Sequence, residues 1–331
     1  TWLATRLRAP VARATMLKRE ALLDRLDQAR DQRVIRICAP AGYGKTELLA
    51  QWYARRVALG DRVGWFSADD EDLSPGKLVD CFARSLAIAG ADIASAGSDT
   101  THSDSLEARQ RLRCLINDIA RDRGRLILVI DDIDRLAADE LRDLTGLLLR
   151  WAPDNLLVVL SGRGLVEIGI STFAAQGVVT RLGDEDLKFD LCEILSMFGG
   201  SLDRQAAAAL LEHCQGWPAM IGLARSLLVD RGKGAALGEQ DDPLVSLSVE
   251  YLSQEVLGQL LPAEYQALLA LSLLDTIDDA AAAALCGDAA ERWRALLHRR
   301  DFRPFVSQLS ETDPSWRLHP ILRSALRSGF E

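Results

Sequence analysis

No run of apolar residues in this chain approaches the ~20 needed to cross a bilayer, which excludes a membrane-spanning helix. The start, Thr1-Trp2-Leu3-Ala4, lacks the apolar core of a signal peptide, and without an initiator Met it reads as trimmed. Cysteine is sparse. Cys38, Cys81, Cys114, Cys192, Cys214 and Cys286 stand far apart with no C-x-x-C pair. That pattern argues against a disulfide framework or a zinc site. It fits thiols used as small core residues in a reducing, cytoplasmic setting. Basic charge is short as well. With 39 Lys and Arg against 48 Asp and Glu, the net charge is −9, the wrong sign for a surface that grips nucleic acid by bulk charge.

The 331 residues that are there correspond to about two domains. Residues 31–183 alternate short β-branched runs with longer helical patterns, the signature of a parallel α/β sheet. Strands are expected at 33–40, 62–68, 126–133, 156–163 and 178–182. Leu126-Ile127-Leu128-Val129-Ile130 and Leu156-Leu157-Val158-Val159-Leu160 are apolar without alternation, as strands buried on both faces are. Residues 106–121 carry Leu112, Leu115, Ile116 and Ile119 at helical spacing, and 90–104 reads as a surface loop. After residue 184 the strands stop. Three short helices are expected at 190–198, 203–214 and 218–229, the first two opening at Asp. Gly232 to Pro243 reads as a Gly-rich, acidic linker. Helices at 248–260, 263–272, 278–286 and 289–300 follow, then alternating segments at 305–309 and 315–319 around Thr312-Asp313-Pro314. Helices, a hairpin and a last helix suggest a winged-helix fold.

Chemistry concentrates first in Ala39-Pro40-Ala41-Gly42-Tyr43-Gly44-Lys45-Thr46, placed between a strand and a helix. A phosphate-binding loop needs glycines so that backbone N–H groups converge on one anion. It needs a Lys to reach the β/γ oxygens and a hydroxyl for Mg²⁺. Ala41, Gly42, Tyr43, Gly44, Lys45, Thr46 and the Glu47 N–H are the phosphate-side candidates, although Ala39 replaces the first Gly of the strict pattern. The second signal is an apolar strand running into Asp131-Asp132. There Asp131 would hold Mg²⁺ with Thr46, and Asp132 would orient or deprotonate the attacking water, with Lys45 beside it as a catalytic cation. Arg163, at the carboxyl end of another core strand, could sense the γ-phosphate or be an ordinary surface Arg.

These residues resemble the MalT-like, large ATP-dependent LuxR-type regulators of the STAND class of signal-transduction ATPases. Further matches are Trp52, Trp65-Phe66-Ser67, Arg19 before Leu22-Leu23, Asp186-Leu187-Lys188-Phe189, Gly216-Trp217-Pro218, Tyr251 to Leu257 and Leu318-His319-Pro320, in family order across nearly the whole chain. The resemblance implies an α/β nucleotide-binding domain at 1–183, a helical lid at 184–238 and a winged-helix domain at 243–331. It implies that Arg19 and the Pro218 region contact ADP or ATP and that His319 reaches the β-phosphate. Two positions depart from the family. Glu47 stands where a small hydroxyl residue is usual, which would repel phosphate unless it turns away. Gly162 separates Ser161 from Arg163, which shifts the sensor register.

The resemblance implies an ATP- and Mg²⁺-dependent regulatory switch that hydrolyses ATP slowly, answers an inducer and self-associates in the full-length protein. The chain would be its core, with sensor and helix-turn-helix segments beyond Glu331. Direct DNA binding is not expected from this part, since Arg292, Arg294, Arg299, Arg300 and Arg303 read better as a helix face. The alternatives are a nucleotide-dependent scaffold without hydrolysis and a chaperone-like ATPase.

Overall fold

The computed structural model describes the chain except residues 1–3, 12–16, 69–73, 95–104, 137, 164–176, 232–256, 288–289, 299–301, 303–304, 309–314, 320–321, 324–325 and 328–331. The expected linker, most of the expected loop at 90–104 and helix at 248–260, the turn at 312–314, Pro320 and three of the five clustered arginines lie outside the described residues. Of the expected helix at 248–260, Leu257–Gln259 is a single 3₁₀ turn. The chain divides into two compact units, one of residues 1–38 with 45–183 and one of residues 39–44 with 184–331.

The first unit is a parallel five-stranded sheet with β1 (Val34–Cys38), β2 (Arg62–Ser67), β3 (Leu126–Asp131), β4 (Leu156–Gly162) and β5 (Val179–Leu182), in the order β2-β3-β4-β1-β5. Each lies within the span its apolar run predicts. Around them lie α1 (Glu20–Gln28), α2 (Lys45–Ala58), α3 (Pro75–Ile88), α4 (Ser105–Arg121) and α5 (Asp139–Trp151). The two non-alternating runs are buried at every residue. Successive side chains of a strand point to opposite faces. Thus Leu126, Leu128, Ile130, Leu156, Val158 and Leu160 share one core with Leu78 and Phe82 of α3, Leu112, Leu115 and Ile119 of α4, and Leu144 and Leu148 of α5.

One consequence of strand order carries forward. β4 lies between β1 and β3, pairing Cys38 with Gly162 on one side and Ile130 with Leu160 on the other. The exits of all three strands are therefore neighbours.

The second unit is helical, then winged. Its first helices are α6 (Asp184–Leu187), α7 (Leu191–Phe198), α8 (Arg204–Cys214) and α9 (Pro218–Arg231). α7 and α8 open at Asp as expected. The Asp190 side chain accepts the Glu193 N–H at 2.7 Å while Glu193 caps back, and Asp203 accepts the Ala206 N–H at 2.7 Å. Caps of this kind are worth ~1 kcal/mol each. Then come α10 (Pro262–Leu271), α11 (Asp279–Cys286), α12 (Ala290–His298) and an antiparallel hairpin of β6 (Val306–Gln308) and β7 (Trp316–Leu318). Ile277 bridges to Trp316 through N–H···O bonds of 2.8 and 2.7 Å, which extends the small sheet.

All six cysteines are free thiols. The expectation that they serve as core residues needs correction for two. Cys81 and Cys214 are buried, and burial pushes each thiol up to about 12. Cys114 and Cys192 are exposed, because Leu112, Leu115 and Ile119 take the inner face of α4 and Ile194, Met197 and Phe198 that of α7. Among the described residues no helix is long and apolar enough to cross a membrane.

Candidate functional site

In the first unit the site grows from strand exits. Lys45 opens α2 and is only 6% exposed, an unusual place for a lysine. Burial lowers its pKa, and the negative charges of Asp132, Asp134 and Asp131 act in the opposite direction, while Arg163 reinforces the lowering. The structure thus brings together Lys45, Asp131, Asp132 and Arg163, four residues that the sequence pointed to separately. It adds two that the motifs did not flag, Ser161 and Asp134.

Asp131 ends β3 and is buried. Its Oδ1 accepts a short hydrogen bond from the Ser161 hydroxyl, a contact that follows from the β3–β4 register. The carboxylate is thereby held, with Oδ2 left to other partners. Asp132 follows in the left-handed region (φ 54°, ψ 41°), which costs a non-Gly residue on the order of 1 kcal/mol. That turn takes the backbone out of the sheet and starts a 3₁₀ turn at Ile133–Arg135. Burial, then the charges of Asp131 and Asp134, raise the pKa of Asp132, and Arg135 Nε at 3.7 Å offsets part of this. A carboxyl raised in this way is a better proton acceptor than an ordinary Asp.

Asp134 explains Gly162. A Cβ at Gly162 would meet Asp134 Oδ1 at 2.6 Å and Ile133 Cγ2 at 3.1 Å, so a larger residue would have to displace this carboxylate from the β4 exit. There it accepts the Arg163 N–H at 2.8 Å. The extra residue between Ser161 and Arg163 is thus an accommodated feature of the strand exit. No local pattern marks Asp134; its place beside Gly162 follows from β4 lying next to β3.

Glu47 is likewise accounted for. Its Oε1 accepts Gln51 Nε2 at 3.2 Å, one turn along α2, and Gln51 Nε2 also donates to the Leu17 carbonyl at 3.2 Å. The acid is engaged along its own helix, and repulsion of phosphate is not its necessary effect. Thr46 and Glu47 are half-buried beside Lys45. Arg19 precedes α1, where its carbonyl receives the Leu22 and Leu23 N–H groups, and it is not among the charges acting on Lys45.

In the second unit lie the glycine-loop residues 39–44 themselves. Gly42 and Gly44 take φ of 76° and 75°, values that side chains rarely adopt, which is why glycine stands at both. Tyr43 is buried, and burial followed by the charges of Asp184 and Glu185 pushes its hydroxyl well above the usual tyrosine range. The N-terminus of α9 holds the loop. Ala219 N–H donates to the Gly42 carbonyl at 3.0 Å, and Trp217 Nε1 to the Ala41 carbonyl at 3.3 Å. Pro218 is the first residue of α9, where its missing N–H costs nothing. His319 is buried at the end of β7, with its N–H on the Phe305 carbonyl at 2.7 Å. Arg294 of the basic cluster is paired with Asp279 at 2.9 Å.

Mg²⁺ prefers hard oxygen donors and keeps several waters and phosphate oxygens, so one or two protein ligands suffice. The Thr46 hydroxyl and Asp131 Oδ2 are donors of that kind. Among the described residues no group of three or more His, Cys, Asp or Glu could hold a metal by itself. The donor set therefore fits an ion that arrives with a nucleotide better than a resident metal.

Comparison with known proteins agrees with this architecture. A AAA domain family matches residues 27–164, and the MalT winged helix domain family matches residues 253–331. The HTH-type transcriptional regulator MalT of Yersinia pestis is 27% identical over 98% of this chain. The chain is similar to MalT over nearly its whole length. MalT of Serratia proteamaculans is 26% identical over the same share. The chain spans 36% of the length of these relatives. Among solved structures, a Walker-type ATPase of Pyrococcus abyssi superposes with a TM-score of 0.64 at 14% identity, covering 96% of this chain and 98% of that one. This chain thus has the α/β fold of the P-loop ATPases followed by a winged helix domain, as the sequence led one to expect. That fold implies nucleotide binding.

Proposed function

We propose that this chain is the nucleotide-binding core of a regulatory switch, in which ADP favours the resting state, exchange for ATP with an inducer releases it, and slow ATP hydrolysis resets it. The observation that carries this reading is the buried Lys45, set among Asp131, Asp132 and Asp134 where three parallel strands end. A lysine ammonium at the end of a glycine loop, ahead of a helix, is what β/γ-phosphate recognition requires. Mg²⁺, when bound with the nucleotide, draws charge off the phosphate oxygens. Lys45 binds those oxygens, Thr46 and Asp131 hold the ion, and Ser161 keeps Asp131 in one rotamer. Asp132 accepts a proton from the attacking water. Arg163, tethered through its N–H to Asp134, senses the γ-phosphate.

Pro218 would pack on the adenine and His319 would donate to a β-phosphate oxygen, which ties the winged helix to the nucleotide present. Slow turnover suits a switch, because the bound product is itself a signal state. In the whole protein the output would be transcription, as the names of the MalT relatives suggest. Inducer recognition and self-association would then draw on regions in the remainder of their length. Phosphate release also separates this reading from a nucleotide-dependent scaffold, which would bind nucleotide without hydrolysing it.

The test is ADP and ATP titration by calorimetry, together with phosphate release, on the parent and Lys45→Ala. The parent should bind both nucleotides and release phosphate. The variant should bind at least 10–100-fold more weakly, the worth of one or more hydrogen bonds to a charged group. Equal affinity in the two proteins would overturn the assignment.

A further inference from the structure

The phosphate loop and the winged helix meet on one side chain, Trp217. It is 4% exposed, its indole N–H donates to the Ala41 carbonyl at 3.3 Å, and its ring packs edge-on against Phe305 with centroids 5.2 Å apart and planes at 74°. Phe305 in turn lies against Phe302 with ring planes tilted by 52° and centroids 6.3 Å apart, and its carbonyl receives the His319 N–H at 2.7 Å. Two residues after Trp217, the Ala219 N–H takes the next loop carbonyl, that of Gly42, at 3.0 Å.

The peptide bond is planar, and the described ones here are trans, so a carbonyl and the following N–H point in opposite directions. Anchoring the Ala41 and Gly42 carbonyls therefore aims the Gly42 and Tyr43 N–H groups away from α9. In a phosphate loop these groups must converge on the anion before it arrives, because flexible glycines otherwise lose that freedom on binding.

We propose that Trp217 is a positioning residue for the phosphate loop, and that Phe305 of the winged helix domain sets its effect by bracing the indole against the Ala41 carbonyl. Packing of the winged helix thereby tunes how tightly the loop holds the phosphates of a nucleoside diphosphate. This inference rests on the nucleotide reading above and adds to it the route by which the winged helix governs nucleotide retention.

Trp217→Phe keeps an aromatic ring against Phe305 and removes the N–H. Phe305→Leu keeps the N–H and removes the ring. ADP dissociation, followed by chasing ribose-labelled fluorescent ADP with unlabelled ADP, should be about 3–10-fold faster in Trp217→Phe, the worth of one hydrogen bond. Phe305→Leu should give about 2–3-fold. The double variant should match Trp217→Phe alone, since both changes act through one contact. KM for ATP should rise with the dissociation rate while kcat stays within about 2-fold, because Lys45 and Asp132 are untouched, and the nucleotide-free thermal midpoint should hold. Unchanged dissociation in Trp217→Phe, additive effects in the double variant, or faster release that comes only with a fallen midpoint would each overturn the proposal. Should Trp217→Phe fail to fold, unchanged dissociation in Phe305→Leu overturns it. A parent that binds no ADP would instead overturn the nucleotide reading itself, and this inference with it.

Discussion

At the edge where β2, β3 and β4 begin, a carboxylate is met by its guanidinium partner and by backbone amides; where β3 and β4 end, three carboxylates crowd around a buried cation. At the first edge Asp122 receives both terminal nitrogens of Arg62 at 2.6 and 2.9 Å, with the Gly124 and Asp92 N–H groups besides. Asn155 Nδ2 donates to the carbonyls of Ile119 and Asp122 at 2.8 Å. The Arg62 guanidinium holds the Asp122 carboxyl far below the usual range. At the opposite edge Asp131, Asp132 and Asp134 gather around the buried Lys45, with Arg135 at 3.7 Å from Asp132, which lies in left-handed backbone and has its carboxyl pushed up. Among the described residues of this sheet, left-handed backbone at a non-glycine residue and crowded like charge thus occur together at the strand exits, the pattern expected where function and not stability sets the residues.

The comparison is broken most severely by Asp132→Asn. Phosphate release should fall by about 10²–10⁴, the usual worth of a positioned base, with nucleotide affinity retained. Parental turnover would pass the role to another acid. Next is the quiet edge. Asp122→Ala should destabilise the protein by about 2–3 kcal/mol in denaturant unfolding, since the Arg62 guanidinium loses its bidentate partner, and leave ADP affinity alone. A change in affinity would show that the two edges are not independent.

Gly162→Ala is expected to cost about 1–3 kcal/mol through overpacking against Asp134 and to weaken ATP more than ADP, because Arg163 moves with its tether. Equal loss for both nucleotides would detach Arg163 from the γ-phosphate.

The smallest effects sharpen the contrast through pH. Asp122 has a depressed pKa in the folded chain, so its stabilisation is present above the unfolded value and fades only as pH falls through the folded one. Asp132 has a raised pKa. Its stabilisation, relative to an ordinary Asp, is full below the unfolded value and is lost as pH rises through the folded one. Without nucleotide, Asp132→Asn should therefore unfold at a slightly higher temperature than the parent at pH 7, with the gap closing below about pH 4. A lower midpoint at pH 7 would mean that Asp132 is a structural ion-pair partner of Arg135.

Much of this molecule was legible before its structure. The five strands, the glycine loop, the Asp caps of α7 and α8 and the acid pair after β3 are local features. Burial on both faces writes an unbroken apolar run, a tight turn selects glycine, and an N-cap selects a short acceptor within three residues of its target. Lys45, Asp131, Asp132 and Arg163 could be named singly because each ends or follows such a run. Their assembly could not be read, since periodicity does not encode strand order. Only the insertion of β4 between β1 and β3 brings Ser161 onto Asp131 and sets Asp134 beneath Gly162. The same holds for Glu47, whose chemistry depends on the rotamer that Gln51 selects, and for Trp217, which reaches the Ala41 carbonyl across 176 positions of chain. Contacts at that separation are decided by packing of whole elements, and a single sequence carries no local signal for them.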